Sequence, residues 1–383
     1  MNISIFASIW CQNLGDELIL KNEIKILENA EFKAKKIDLI NINWQLSNPN
    51  SFRVFTYDIK NTFFQKDNVS YLEYFPIWIK NKKNIFRNIK NFISFVKTIF
   101  WSDLIVIWWG GIIYDNEVQA NKNPLDQWIF RNKFFRFFRK KVVFYAVWIN
   151  IKNKENLGKL KQIFSKAYKV YVRDSYSFKT LKDLWITSEI IDDPVFSENY
   201  GNMDIIKGRF PSSREWQNDE KSFLIKEIEA SNFSLKDFNN VDLENKKIGI
   251  TFRAGYIWKS GNEKIEILMI RELVELLLSK NCKVYFLPHS IHTTDIKSND
   301  LEYYKKIISW TKLEDKVYIA EGLEEVYSFY KEKKIDLCFA MRLHSMILSQ
   351  VYEIPFIAFS YSKKTEELVK KIRNKELINK LWD

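Results

Sequence analysis

Cationic and titratable side chains follow one of the last apolar runs of the chain, where a strand is predicted to end. Residues 335 to 340 predict a buried strand that leads into Arg342, Leu343 and His344, and residues 345 to 351 predict a helix. The first N–H groups of a helix lack intrahelical partners and therefore favour an anion. Arg342 adds a planar fork of donors, and His344 can transfer protons near neutral pH. The pattern predicts an anion site capable of acid-base chemistry.

Similar candidates follow other predicted strands. Arg253 follows the run KKIGITF, His289 follows KVYFLP, and Lys364 ends the run IPFIAFSYSKK. Because the carboxyl ends of parallel strands share one sheet edge, we expect these residues to join Arg342 and His344. Each cation alone is also compatible with an ordinary surface position. No third strong ligand is suitably spaced from the His289-x-x-His292 pair, so no metal site is expected.

Two turns in the first half of the chain could also line a ligand cleft. The first predicted strand ends before the sequence NLGD, which contains Asn13, Gly15 and Asp16. A second apolar run, LIVIWW, leads into Gly110 and Gly111. Strand-to-helix turns bind ligands in doubly wound sheets, whereas Asp16 could instead cap the following helix.

The elements that must position these residues alternate between strands and helices in two arrays. A chain of 383 residues exceeds the size of about 250 to 300 residues at which single cores stop growing. The predicted fold is therefore α/β, with two Rossmann-like domains facing each other in a GT-B-like arrangement. The predicted boundaries are 1–196 for the first domain, 197–245 for a polar linker with an insertion, and 246–383 for the second domain. The last helix could cross back onto the first domain.

Composition restricts the partners and the compartment. The formal net charge is +12, but no basic run shows the regular aromatic spacing of a nucleic-acid platform, so no nucleic acid is expected. Three scattered cysteines without C-x-x-C spacing indicate a reducing compartment. The N-terminus lacks the basic region of a signal peptide. These features predict a cytoplasmic protein.

The segment 127–141 predicts a basic helix with two interpretations. Phe130, Phe134, Phe137 and Phe138 would share one face, surrounded by arginines and lysines. Such a helix could lie on an anionic membrane, giving the protein a peripheral membrane contact. A core-facing phenylalanine stripe with a solvated basic rim is the favoured interpretation.

The ordered set of motifs resembles the polysaccharide pyruvyl transferase family. It comprises NLGDELIL, DLIVIWWGGIIYD, VRDSYS, DDPVF, TFRAGY, LPHS, and MRLHSMILS with IPFIAFSYSKK. The resemblance implies a GT-B-like enzyme that moves the pyruvyl group of phosphoenolpyruvate onto two hydroxyls of a sugar, forming a ketal. The acceptor would be a cell-surface polysaccharide or its precursor, with a lipid-linked glycan as one option. Phosphoenolpyruvate is then the donor substrate, and neither a metal nor an organic cofactor is expected.

The resemblance also implies site residues. The family's donor site maps onto Arg342, Leu343, His344 and Arg253, and further family positions map onto Asn13, Gly15, Asp16 and Lys364. In this chemistry His344 is the expected acid, and His289 or Asp16 the expected base. Arg342→Ala should abolish turnover and leave the fold intact. A nucleotide-sugar glycosyltransferase and a non-catalytic glycan-binding relative remain alternatives.

Tryptophan stands at several positions where the family motifs and the turn geometry call for glycine. These positions are Trp10, Trp108, Trp109, Trp148 and Trp185, in a chain that has 13 tryptophans and 10 glycines. Tryptophan adopts positive φ with difficulty. One hypothesis is that the gene reads UGA as glycine, and that these tryptophans come from translation with another code.

Overall fold

The computed structural model describes residues 1–7, 13–29, 36–41, 53–57, 72–73, 85–108, 113–115, 124–198, 223–255, 263–291 and 299–380. The chain divides into two compact units. The first comprises Met1–Cys11 and Asp16–Phe210, and the second comprises Gln12–Gly15 and Pro211–Asp383. Each unit contains a largely parallel sheet with helices, so the predicted pair of Rossmann-like domains is confirmed.

The first unit is built on an eight-stranded sheet within its described residues. In chain order its elements are β1 (Asn2–Ala7), α1 (Leu14–Asn29), β2 (Lys36–Asn41), β3 (Arg53–Tyr57), β4 (Leu72–Glu73), α2 (Ile85–Trp101), β5 (Leu104–Trp108), β6 (Ile113–Tyr114), α3 (Pro124–Phe137), β7 (Lys141–Val147), β8 (Ile149–Asn150), α4 (Leu157–Phe164), β9 (Lys169–Val172), α5 (Ser175–Asp183) and β10 (Glu189–Ile190). The strand order is β10-β9-β7-β5-β1-β2-β3-β4, with β6 paired to β8 outside this sheet. Strand β3 pairs antiparallel with both β2 and β4, and all other pairs in this sheet are parallel.

The second unit contains a parallel sheet of six described strands in the order β11-β16-β15-β12-β13-β14. Its elements are β11 (Leu224–Glu229), β12 (Lys247–Ile250), α6 (Glu263–Ser279), β13 (Lys283–Phe286), α7 (Asp300–Thr311), β14 (Val317–Ile319), α8 (Leu323–Lys331), β15 (Leu337–Ala340), α9 (Leu343–Val351), β16 (Phe356–Ser360) and α10 (Lys363–Lys380). The residues of β15 and β16 are all buried, as expected for strands covered on both faces. This order makes β15, β12 and β13 neighbours, so the residues that follow them leave adjacent strand ends.

The predicted linker 197–245 is wrong in its second half, because this part belongs to the second unit. Its sequence LIKEIE forms β11, which pairs with β16 at the edge of the sheet. An edge strand has one unpaired side, and charged residues there discourage pairing with other chains. The Lys and Glu residues of this edge strand account for the polar character that predicts a linker.

The predicted core stripe on the helix at 127–141 is confirmed only in part, since Phe134 and Phe138 pack partly buried against the core. The helix is α3, and its buried face carries Leu125, Trp128 and Phe135, spaced three and seven residues apart. Phe130 and Phe137 are exposed, since they lie away from that face. Arg131, expected in the solvated rim, is buried with its guanidinium carbon 4.4 Å from the centroid of the Trp128 ring. Burial lowers the pKa of Arg131 to about 9.

Trp185, two residues after the last residue of α5, has a backbone conformation that favours glycine. Its φ is 61°, and its N–H donates to the Lys182 carbonyl while the Ile186 N–H donates to the Leu181 carbonyl. This pair of bonds is a Schellman motif, in which the left-handed residue is most often glycine. Trp108 and Trp148 are not among the residues with positive φ, and Trp108 is fully buried in β5. Trp10 and Trp109 lie outside the described residues.

Trp185→Gly is expected to stabilise the protein by about 1 kcal/mol, because the left-handed conformation costs an L-residue about 1 to 2 kcal/mol. The side chain is 92% exposed, so its removal loses little packing. Leu268→Gly is the control, since Leu268 is exposed inside α6 and glycine there should cost about 1 kcal/mol. Urea unfolding measures both changes. UGG codons at the five tryptophan positions would contradict the recoding hypothesis, whatever the stability result.

Candidate functional site

Three of the predicted site residues leave adjacent strands of the second unit. Arg253, His289 and Arg342 follow β12, β13 and β15, respectively. The last of these segments runs directly into α9, which begins at Leu343, two residues before the predicted start. Arg342 is therefore the N-cap of α9, although its side chain does not cap the helix.

The Arg342 side chain forms a buried ion pair with Asp300, the first residue of α7. Arg342 Nε donates to Asp300 Oδ2 at 3.0 Å, and Nη2 donates to Oδ1. The backbone N–H groups of His289 and Ser290 also donate to Asp300 Oδ2, each at 3.1 Å. Burial by itself would lower the pKa of Arg342, but the adjacent carboxylate raises it. Asp300 thus joins two of the predicted strand ends.

Sequence reasoning did not identify Asp300. The residue follows Asn299, whose Oδ1 accepts the Glu302 N–H at 3.1 Å and caps α7. An Asn-Asp pair before an amphipathic segment is a recognisable helix start. The available signal therefore indicated a helix terminus, and only the fold shows that the carboxylate turns toward Arg342. Because two guanidinium nitrogens are engaged, Arg342 is anchored in one orientation.

His289 is packed inside this cluster, with 2% of its surface exposed. Its Nε2 lies 2.9 Å from the hydroxyl of Tyr330, a residue of α8 that the sequence did not single out. Burial lowers the pKa of His289 well below its usual value, and the nearby Arg342 and His344 lower it further. His289 is therefore neutral near pH 7. The burial of His289 favours a role in positioning neighbouring residues such as Tyr330. Its role as a base stays a prediction.

The lowered pKa of His289 makes stability depend on pH. An unfolded histidine has a pKa of about 6.5, so the unfolded chain gains a proton below this pH while folded His289 stays neutral. Between pH 7.5 and 5.5 this site should cost the wild type about 1.4 kcal/mol of unfolding free energy. His289→Gln lacks this contribution and should lose correspondingly less over the same range. Urea titrations at both pH values measure the difference, and equal losses would contradict a neutral buried His289.

The NLGD turn contributes directly to the same cluster. Asn13 forms an isolated antiparallel bridge with Ser290, and the Leu14 N–H donates to the His289 carbonyl at 2.8 Å. Asn13 Oδ1 accepts the Gly15 N–H at 3.0 Å at the start of α1. The capping position proposed for Asp16 is therefore occupied by Asn13, because the helix begins earlier than that assignment requires. Asp16 lies half-buried in the first turn.

Gly15 and His344 are in close contact. A Cβ atom built on Gly15 would lie 1.8 Å from Nδ1 of His344, far inside any real contact distance. The imidazole thus occupies the space that any other residue at position 15 would need. Asn13, Gly15, His289 and His344, which are far apart in the sequence, are brought together here.

Arg253 is positioned by its own loop. Its N–H lies 3.1 Å from Met341 Sδ, and its guanidinium carbon lies 5.9 Å from the centroid of the Tyr361 ring. Two residues later, Gly255 has φ of 80° and donates its N–H to the buried Glu266 at 2.9 Å. Glu266, which the sequence did not suggest, fixes the turn that follows Arg253.

The remaining predicted residues are more peripheral or not described. Leu343 is the first residue of α9, and Lys364 lies in the first turn of α10, both half-buried. Gly110, Gly111 and His292 lie outside the described residues. Among the residues that are described, no group of three or more His, Cys, Asp or Glu side chains could hold a metal ion. None of the helices there is both long and apolar enough to cross a membrane.

A cavity of about 570 Å³ lies in the first unit and includes none of the predicted site residues. It is lined by residues beside the amino ends of β9 and β10, among them Tyr168, Trp185 and Ser188. Ligands of parallel α/β sheets bind at the carboxyl ends of the strands. The strand-end cluster of the second unit is therefore the candidate site.

The candidate site combines anion binding with proton transfer. The guanidinium groups of Arg253 and Arg342 and the N-terminus of the nine-residue helix α9 are all suited to an anion. The imidazole of His344 belongs to the first turn of the same helix, beside Gly15. A small anionic substrate that must be protonated fits such a site.

Comparisons with known proteins agree with this chemistry at the level of a family. A family model described as polysaccharide pyruvyl transferase matches residues 13–363. No curated protein matches the chain. Among solved structures, the chain is similar to sucrose-phosphate synthase from Thermosynechococcus elongatus, with 10% identity and a TM-score of 0.43, covering 98% of this chain and 90% of that one. A similarity this weak carries no functional information.

Proposed function

Because the chain belongs to the polysaccharide pyruvyl transferase family, we propose that it transfers the pyruvyl group of phosphoenolpyruvate to two hydroxyls of a sugar. The product would be a pyruvate ketal on a cell-surface polysaccharide or its precursor, with phosphate released. The observation that carries this proposal is the cluster of Arg253, Arg342 and His344 at adjacent strand ends and the α9 N-terminus.

The proposed donor carries a carboxylate and a phosphate. The N-terminus of α9 and Arg253 would bind these anions, and Arg342, fixed by Asp300, would offer its remaining N–H donors in a set orientation. Lys364, in the first turn of α10, would add positive charge. No metal or organic cofactor is needed for the proposed reaction.

Proton transfer would centre on His344. One sugar hydroxyl attacks C2 of phosphoenolpyruvate while C3 accepts a proton, and His344 would supply that proton. The second hydroxyl then attacks C2 as the phosphate leaves with the C2–O bond electrons. Asp16 or His289 would take up the hydroxyl protons, and the arginines would stabilise the departing phosphate.

The acceptor and the location form the finer part of the proposal. A polysaccharide precursor linked to lipid would bring the enzyme to the cytoplasmic face of a membrane as a peripheral protein. Asn13 and Gly15 would contribute to substrate binding beside the donor, and a role for Gly110 and Gly111 in substrate binding stays a prediction.

The test is phosphate release from phosphoenolpyruvate in the presence and absence of candidate glycans, with the ketal methyl group detected by NMR. Arg253→Gln should raise the KM for phosphoenolpyruvate about tenfold or more, because a charged hydrogen bond to the donor is lost. Arg271→Gln is the matched control, since Arg271 pairs with Glu275 on the exposed side of α6. Consumption of a nucleotide-sugar instead of phosphoenolpyruvate would overturn the proposal.

A further inference from the structure

Two helices of the first unit carry exposed apolar side chains that the candidate site does not use. On α2, Ile89, Ile93 and Phe100 are exposed at spacings of four and seven residues, which place them on one face of the helix. Trp101 at the end of α2 and Phe137 at the end of α3 are exposed too. Phe100 and Phe137 are 60% and 80% exposed. These five residues are called the aromatic surface below.

The two parts of the aromatic surface are connected by packed rings. Phe95 of α2 stacks on Phe134 of α3 with centroids 5.4 Å apart. Phe138 lies 5.0 Å from Phe134 and 5.2 Å from Phe137, measured between ring centroids. Lys140, just beyond α3, donates to the Phe100 carbonyl at 2.7 Å. The C-terminal ends of α2 and α3 therefore lie side by side.

The charge close to the aromatic surface is mainly positive, although Asp126 lies in the first turn of α3 and Asp103 is exposed just after α2. Neither α2 nor the segment 127–141 contains an acidic residue. Lys97, Lys133, Arg139 and Lys141 are exposed beside the apolar side chains. Exposed Phe, Trp and Ile with a basic rim is the composition of helices that lie in a membrane interface. Lysine, by contrast, is depleted in protein–protein interfaces.

We propose that the aromatic surface is a docking site for an anionic phospholipid bilayer. The apolar side chains would enter the headgroup boundary, and the lysines and arginines would contact the lipid phosphates. The inference rests on the proposed function in one respect, because a lipid-linked acceptor would be found at the membrane surface to which the enzyme binds.

The test is sedimentation with phosphatidylcholine vesicles that contain or lack phosphatidylglycerol. The wild type should bind the anionic vesicles, and the triple variant Ile93→Ser/Phe100→Ser/Phe137→Ser should bind about tenfold or more weakly, because it loses three large apolar side chains. Leu268→Ser/Trp310→Ser is the matched control, since it removes two exposed apolar side chains from α6 and α7 of the second unit. The control should bind as the wild type does.

Charge reversal tests the basic rim without altering the apolar residues. Lys97→Glu/Lys133→Glu should also weaken binding to anionic vesicles, and added salt should weaken binding of the wild type. If the triple variant fails to fold, this charge-reversal variant still tests whether the surface binds anionic vesicles. A wild type that ignores anionic vesicles, or variants that bind like it, would overturn the inference.

Activity separates this inference from the proposed function. The surface variants should keep wild-type turnover of phosphoenolpyruvate with a water-soluble glycan acceptor. If neither the wild type nor the surface variants turn over phosphoenolpyruvate, the proposed function is rejected. Vesicle binding by the wild type that the variants lose would still support the docking surface. Gel filtration tests whether the surface joins two copies of the chain. If the wild type is a dimer and the triple variant is a monomer, the surface is a dimer contact and membrane docking is overturned.

Discussion

Arg342→Ala is expected to abolish transfer and also to lower the free energy of unfolding by about 3 to 5 kcal/mol. Asp300 is 2% exposed, so removal of its guanidinium partner leaves a buried carboxylate whose remaining donors, among the described residues, are the backbone N–H groups of His289 and Ser290. The expectation from the sequence, an inactive protein with an intact fold, treated Arg342 as a surface clamp. Its buried pairing with Asp300 connects substrate binding to the stability of the second unit.

Two controls separate stability from activity at Arg342. Arg342→Met/Asp300→Asn removes both charges and should recover much of the lost stability without recovering turnover. Arg271→Ala breaks an exposed ion pair with Glu275 and should cost at most about 1 kcal/mol. Urea unfolding and phosphate release measure the two properties on each variant. An Arg342→Ala protein as stable as the wild type would contradict a buried ion pair.

Much of the architecture could be predicted from the sequence because buried parallel strands form continuous apolar runs. The strands β15 and β16 were predicted in this way, with the helix α9 between them. The prediction is wrong at β11, because its charged side chains suit an edge strand but are also typical of a linker. On α3 the phenylalanines occur on several faces, so the sequence does not show which are buried; packing buries Phe135 fully and Phe134 in part.

Some residues of the candidate site could likewise be predicted from the sequence, and others could not. Arg253, His289 and Arg342 were predictable because they directly follow apolar strands, and the topology makes those strands neighbours. Asp300 and Tyr330 were not, since each lies within an amphipathic helix where a polar residue has an ordinary local explanation. Their contacts with Arg342 and His289 exist only in the folded unit, so no local pattern could reveal them.

Gly15→Ala is expected to reduce kcat/KM by about 100-fold or more. The new methyl group would overlap His344 Nδ1, and one of the two must move. The main chain at this turn is held by the bond from the Leu14 N–H to the His289 carbonyl, so the imidazole is the freer group. A shift of about 1 Å in a reacting group can cost about 100-fold in rate.

The matched control for Gly15→Ala is Gly158→Ala, where a Cβ meets nothing within 4 Å and activity should be unchanged. A coupling test identifies the cause of the loss at Gly15. If the methyl group acts only by displacing the imidazole, Gly15→Ala should cost little more once His344→Ala is present, and the two effects will not add. Additive losses would mean that the turn contacts the substrate independently of His344. Full activity of Gly15→Ala would contradict a catalytic imidazole in this position, because the methyl group is expected to displace the His344 ring.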